Sequence, residues 1–310
     1  MLVLASLGLA LLLSQQTSNC PDCRNDPRRP LLCSAHLEAE TTLLREQRAL
    51  LARSKDIDER LAAIDKVAAL TRAHANVPSP VVARFLADAL RDESLAVRRS
   101  ALARLLDGQH HDETVRGVLD GWKEGQKLWR VLDAKLVLSE GSTESGKAPV
   151  ALTTEELSDI PDYTLALIRA LGRLRDERAW NALHAYFRAP LDRTPGRFLV
   201  AAADSMLQLD SRKSCDATIA LLAEIEDAFV GGQVPRRFAG DQRTDLLASL
   251  KAPLENASEH DHAEIVALLA QYATLRNLAP PESEEPLRAA DWKAWLKLNR
   301  DALPEKIGAQ

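Results

Sequence analysis

Apolar positions recur along the chain at helical spacing. Leu37, Leu44 and Leu51 are seven residues apart, and Leu43 and Leu50 form the adjoining row. Residues three, four and seven apart share one face of an α-helix, so this pattern predicts an amphipathic helix over 37–53. From Asp56 onward the pattern repeats. The string Arg60-Leu-Ala-Ala63-Ile64-Asp-Lys-Val67 aligns with Arg98-Arg-Ser-Ala101-Leu102-Ala-Arg-Leu105, with Arg60, Ala63 and Val67 each 38 residues before Arg98, Ala101 and Leu105. Each block is followed by a second apolar segment, Val81-Val82-Ala-Arg-Phe85-Leu86 in one and Val115-Arg-Gly-Val118-Leu119 in the other. Ser79-Pro80 sets Pro at a first helical position, where its missing N–H costs nothing.

A second pair of blocks follows. Leu171, Leu174 and Arg178 match Met206, Leu209 and Lys213 at a constant offset of 35, and Phe187 matches Leu222 at the same offset. Periods of 35 and 38 residues are those of helical hairpins. The fold class predicted is all-α, with antiparallel hairpins in two arrays over 37–130 and 159–230. Between them 131–158 reads as a polar, Gly-containing insertion loop after Leu136-Val137-Leu138. A further break runs from Gly231-Gly232 through Pro235 to Gly240. Within 231–310, helices are predicted over 243–253, 260–276 and 288–300. The last of these carries Trp292 and Trp295 and reads as a cap, since a terminal repeat has a single neighbour.

The chain begins differently. Leu2 to Leu13 is an unbroken apolar run, followed by polar Ser14 to Ser18. It is too short to cross a bilayer and matches the apolar core of a signal peptide over 1–18; the alternative is a buried N-terminal helix. An exported protein of the periplasm or cell envelope is expected, with no integral membrane span once the signal is removed. Residues 19–36 read as a Cys-containing linker, where Pro21, Pro27 and Pro30 exclude a helix from the stretch they occupy.

Composition sharpens this picture. The 310 residues are 46% hydrophobic but carry 5 Trp, 3 Tyr and 5 Phe, with 13 Gly and 15 Pro. Few rings and few turn formers argue against a β-sandwich. A net charge of −5 argues against a sequence-independent grip on nucleic acid or on anionic lipid.

Two strings then carry a resemblance. Leu86-Ala-Asp-Ala-Leu90-Arg-Asp92-Glu-Ser-Leu-Ala-Val97-Arg98-Arg-Ser-Ala101-Leu102 and Ile168-Arg-Ala-Leu171-Gly172-Arg-Leu174-Arg-Asp176-Glu-Arg178-Ala179 resemble HEAT repeats, of the subtype first noted in phycobilisome lyases. The likeness covers about 57–125 and 160–228. The third block departs from it, with Leu207 in the place of Gly172 and Ser211 in that of Asp176. The resemblance implies an α-solenoid whose surface holds a protein or peptide partner without catalysis. It leaves a lyase-like or chaperone role as the alternative. The Trp292–Pro304 tail resembles the end-piece of exported bacterial HEAT arrays.

Candidate chemistry is sparse. Cys20, Cys23, Cys33 and His36 have the ligand inventory of a Cys3His zinc site, and in an oxidising compartment the same cysteines form a disulfide or stay unpaired. A small metal or redox module there is a second alternative. Gly141-x4-Gly146-Lys147 matches a phosphate-binding loop except at Ala148, where the magnesium-holding hydroxyl is missing. His110-His111-Asp112-Glu113 and His260-Asp261-His262-x-Glu264 collect metal-capable groups, but at predicted helix starts, where such residues serve as caps. Asn256-Ala-Ser258 is a glycosylation acceptor in a eukaryotic secretory pathway alone. Arg236-Arg237-Phe238 forms a basic, aromatic-tipped break suited to an acidic partner. No acid–base pair or nucleophile elbow stands out, so no cofactor and no enzymatic activity are expected.

Overall fold

The computed structural model describes residues 34–73, 80–107, 111–144, 152–153, 155–189, 191, 194–230, 259–283 and 286–307. These residues form eleven α-helices and no strand, so the protein is all-α. The helices are α1 (Ser34–Arg53), α2 (Ile57–Ala73), α3 (Pro80–Ala89), α4 (Leu95–Leu106), α5 (His111–Glu144), α6 (Ile160–Arg173), α7 (Glu177–Phe187), α8 (Gly196–Gln208), α9 (Arg212–Val230), α10 (Glu259–Leu275) and α11 (Ala289–Leu298). Internal contacts divide the chain into two compact units, Met1–Gly121 and Trp122–Gln310.

In the first unit α2 packs on α1, α3 and α4. Val67 and Leu105, 38 residues apart in the repeat, are both buried, as are Ala63 and Ala101. Small Ala positions let these helices approach, and the Leu and Val beside them fill the grooves. The start of α5 meets α3 as closely: a Cβ on Gly117 would lie 2.6 Å from that of Ala87. The turn before α4 is held by charge. Asp92 accepts from the Ser94 N–H at 2.8 Å and pairs with Arg60 of α2 at 2.9 Å. Both side chains of that pair are buried, 5% and 7% exposed.

The second unit contains two hairpins, α6–α7 and α8–α9, followed by α10 and α11. In one row α8 packs against α6 and α10; in the other α9 packs against α7 and α11. The amphipathic period of α6 explains its place. Ile160, Tyr163, Thr164, Leu167, Ile168 and Leu171 follow helical spacing and are all buried. Gly172 lets α8 come close, since a Cβ there would sit 2.6 Å from Cα of Ser205. The second helix of each hairpin starts on a side-chain cap. Asp176 accepts from the Arg178 N–H at 2.9 Å and Ser211 from the Ser214 N–H at 3.1 Å. The Asp-to-Ser departure in the third block therefore keeps its capping function.

Four expectations meet a firm outcome here. The predicted helices 37–53, 260–276 and 288–300 correspond to α1, α10 and α11. The stretch 131–158 is not an insertion loop throughout: α5 runs unbroken through 131–144, and a π-helical turn spans Glu155–Asp159. Leu132 and Leu136, one helical turn apart, are buried, and this apolar stripe outweighs the polar composition after it. The predicted helix 243–253 lies outside the described residues. At the end of the chain, Trp292 and Trp295 are buried and meet edge-to-face at 5.5 Å. The Trp295 indole N–H donates to the Ala279 carbonyl at 2.7 Å.

Candidate functional site

Helices α6, α8 and α10 of the second unit share a surface groove of about 590 Å³. Leu165 and Arg169 come from α6, Arg197, Val200, Ala201 and Asp204 from α8, and Glu264, Ala267, Leu268 and Gln271 from α10. The arrangement follows from helical spacing. Arg197, Val200, Ala201 and Asp204 are steps of three and four along one stripe of α8. Charges thus fall one or two turns from an apolar middle of Leu165, Val200, Ala201 and Leu268.

The charges of the groove differ in their surroundings. Asp204 is half-buried and accepts from Gln208 Nε2 at 3.0 Å. Arg169 and Glu264 are exposed. Arg197 is different: its side chain is 26% exposed, and it reaches the half-exposed Asp162 at 3.6 Å. Its Nε and Nη2 are shielded from solvent and meet no hydrogen-bond acceptor. Burial pulls this guanidinium below its usual range and the charge of Arg169 adds to that, while Asp162 works against it. A cation so placed is stabilised by any anion that enters the groove.

Of the residues singled out in the sequence, several lie outside the described region. Cys20, Cys23 and Cys33 do, as do Arg236, Arg237 and Phe238, Asn256 and Ser258, and Lys147 of the Gly141 string. Of that string Gly141 falls within α5. His36 belongs to α1. Of the two His/Asp/Glu clusters, His110 lies outside the described residues, and Glu113, Asp261, His262 and Glu264 have separate surroundings. Glu113 accepts from Arg84 of α3 at 2.8 Å. Glu226 of α9 meets His262 Nε2 at 2.8 Å and accepts the Ala289 N–H at 2.8 Å, tying α10 and α11 to α9. Asp261 is buried, pressed against Gly196, and Glu264 turns to the groove. Among the described residues no three such groups converge on a metal-sized site.

Other chemistry-bearing side chains have structural partners. Cys215 of α9 is buried, which pushes its thiol up to about 12 and keeps it from acting as a thiolate. Trp180 stacks on His184 at 4.2 Å with Lys213 Nζ 3.6 Å above its ring, on the α7–α9 row. Burial, with Arg188 and Lys213 nearby, lowers the His184 pKa.

Sequence reasoning did not single out Arg169, Arg197 or Asp204, and named Glu264 only as part of the His260 cluster. A signal existed. The 35-residue offset sets Asp162 opposite Arg197 and Arg169 opposite Asp204, so opposite charges align in successive hairpins. Comparisons with protein-family models, with curated proteins and with solved structures give no match.

Proposed function

We propose that the protein is a non-catalytic binding scaffold of HEAT-like hairpins, an α-solenoid that works outside the cytoplasm and holds a protein or peptide partner. The observation that carries this reading is the groove across α6, α8 and α10. It combines an apolar middle with charges of both signs, the composition of a surface that recognises a polypeptide segment. The repeat offsets of 35 and 38, with row-by-row packing of successive hairpins, support the solenoid. Export rests on the apolar run Leu2–Leu13. Binding works through surface complementarity, with no bond made or broken.

The test is capture from a cell-envelope extract by the full chain, beside a variant carrying Arg169→Glu, Asp204→Lys and Glu264→Lys. A defined partner retained by the parent and lost by the variant is expected. Retention of the same partner by both proteins, or capture of nothing above background, overturns the reading.

A further inference from the structure

Within the groove, the charges are not equally compensated. Asp204 has the Gln208 amide, and Arg169 and Glu264 are exposed to water. Asp162, outside the groove lining, shares its carboxylate with Arg197 across a long 3.6 Å contact while remaining half-exposed. That leaves Arg197 with a single ionic partner and two buried nitrogens without acceptors. Its neighbour in charge is another cation, Arg169, whose field acts on it. A partly desolvated charge beside a like charge gains more from a new counterion than an exposed one does, because local screening is weaker. The negative groups at the same groove have no comparable deficit. The imbalance therefore favours an incoming anion over an incoming cation.

The apolar part of the lining adds a second requirement. Leu165, Val200 and Leu268 offer contact to an aliphatic side chain, so a bare inorganic anion would leave them uncovered. A carboxylate also suits a guanidinium better than a point anion, since its two oxygens match the planar fork of donors that exposed Arg169 presents to the groove.

Resting on the peptide-binding reading, we propose that the groove takes an acidic peptide segment. Its Asp or Glu carboxylate lies against Arg197 and Arg169, and an adjacent aliphatic side chain covers Leu165, Val200 and Leu268.

The experiment uses the full chain and three probes: the capped peptides acetyl-Leu-Glu-Leu-amide and acetyl-Leu-Gln-Leu-amide, and sodium acetate. Binding is read from the side-chain Nε–Hε resonance of Arg197, assigned by its absence in Arg197→Gln. The Glu peptide should move this resonance and bind about 10-fold or more tightly than its Gln isostere. Arg197→Gln should lose a similar factor for the Glu peptide and nothing for the Gln peptide. Arg169→Gln, at an exposed position, repeats the test without disturbing packing should Arg197→Gln fail to fold. Equal affinity for the two peptides overturns the proposal, as does unchanged affinity in the arginine variants or no response to either peptide at millimolar concentration. Acetate moving the resonance as effectively as the Glu peptide overturns the peptide half of it and leaves a free carboxylate as the ligand. If these results fail while the envelope partner is still captured through α6, α8 and α10, the carboxylate inference falls and the scaffold reading stands. If capture fails as well, both fall.

Discussion

Arg175 and Asp210 occupy the same place in successive hairpins, 35 residues apart, and share a left-handed backbone, with φ of 49° and 56°. Asn277 does the same after α10, with φ of 56°. A left-handed residue just past a helix lets the chain turn toward the next helix, and Gly adopts this conformation at least cost. Asp210 has a reason to be there, since its carboxylate accepts from Arg276 Nε at 2.7 Å and from Tyr272 at 3.1 Å. Arg175 is exposed and adds a repulsive charge near Arg276. Arg175→Gly is therefore expected to stabilise the protein by about 1 kcal/mol, with a rise of about 2–4 °C in Tm. Calorimetry checks this, and an unchanged or lower Tm contradicts it.

At the scale of elements, packing between helices depends on a few close approaches and a few buried charges. In the first unit, the link between α2 and the turn before α4 is Arg60 with Asp92. Exposed Glu93 also accepts from Arg60 at 3.0 Å, and Arg98 Nε donates to the Asp92 carbonyl. Removing one partner of a buried pair leaves the other charge desolvated, which costs more than the pair contributes. Arg60→Met should lower stability by about 3 kcal/mol in urea unfolding. Adding Asp92→Asn, which keeps the cap on Ser94 and removes the stranded charge, should recover part of that loss. A single variant as stable as the parent, or a double variant no better than the single, is incompatible with a buried ion pair. Exposed pairs such as Lys127 with Glu124 contribute far less, since water screens them.

At the scale of the whole molecule, the two compact units differ in their rings. All five Trp, at 122, 129, 180, 292 and 295, lie in Trp122–Gln310. Tryptophan fluorescence thus reports the second unit, whereas far-UV circular dichroism reports the helices of both. Chains with more than one cooperative unit depart from two-state unfolding. Thermal or urea unfolding should show a circular-dichroism component with no counterpart in fluorescence. Coincident transitions would mean a single cooperative unit.

The sequence by itself determined what is local. Apolar spacing located α1, α10 and α11, the offset of 38 related α2 to α4, and the offset of 35 related the turns at Arg175 and Asp210. These follow from the helical period and from turn chemistry, which act over a few residues. The tertiary structure decided what is brought together from afar. It dispersed His262, Asp261 and Glu264 to three surroundings and continued α5 through a polar tail. It also brought Arg197, Arg169 and Glu264 into one groove, with Asp162 beside Arg197 outside its lining. Those neighbours belong to different helices, and their meeting depends on how rows of hairpins pack. A stripe of charges on one helix reads in sequence as a solvated face until the adjoining helix removes its water.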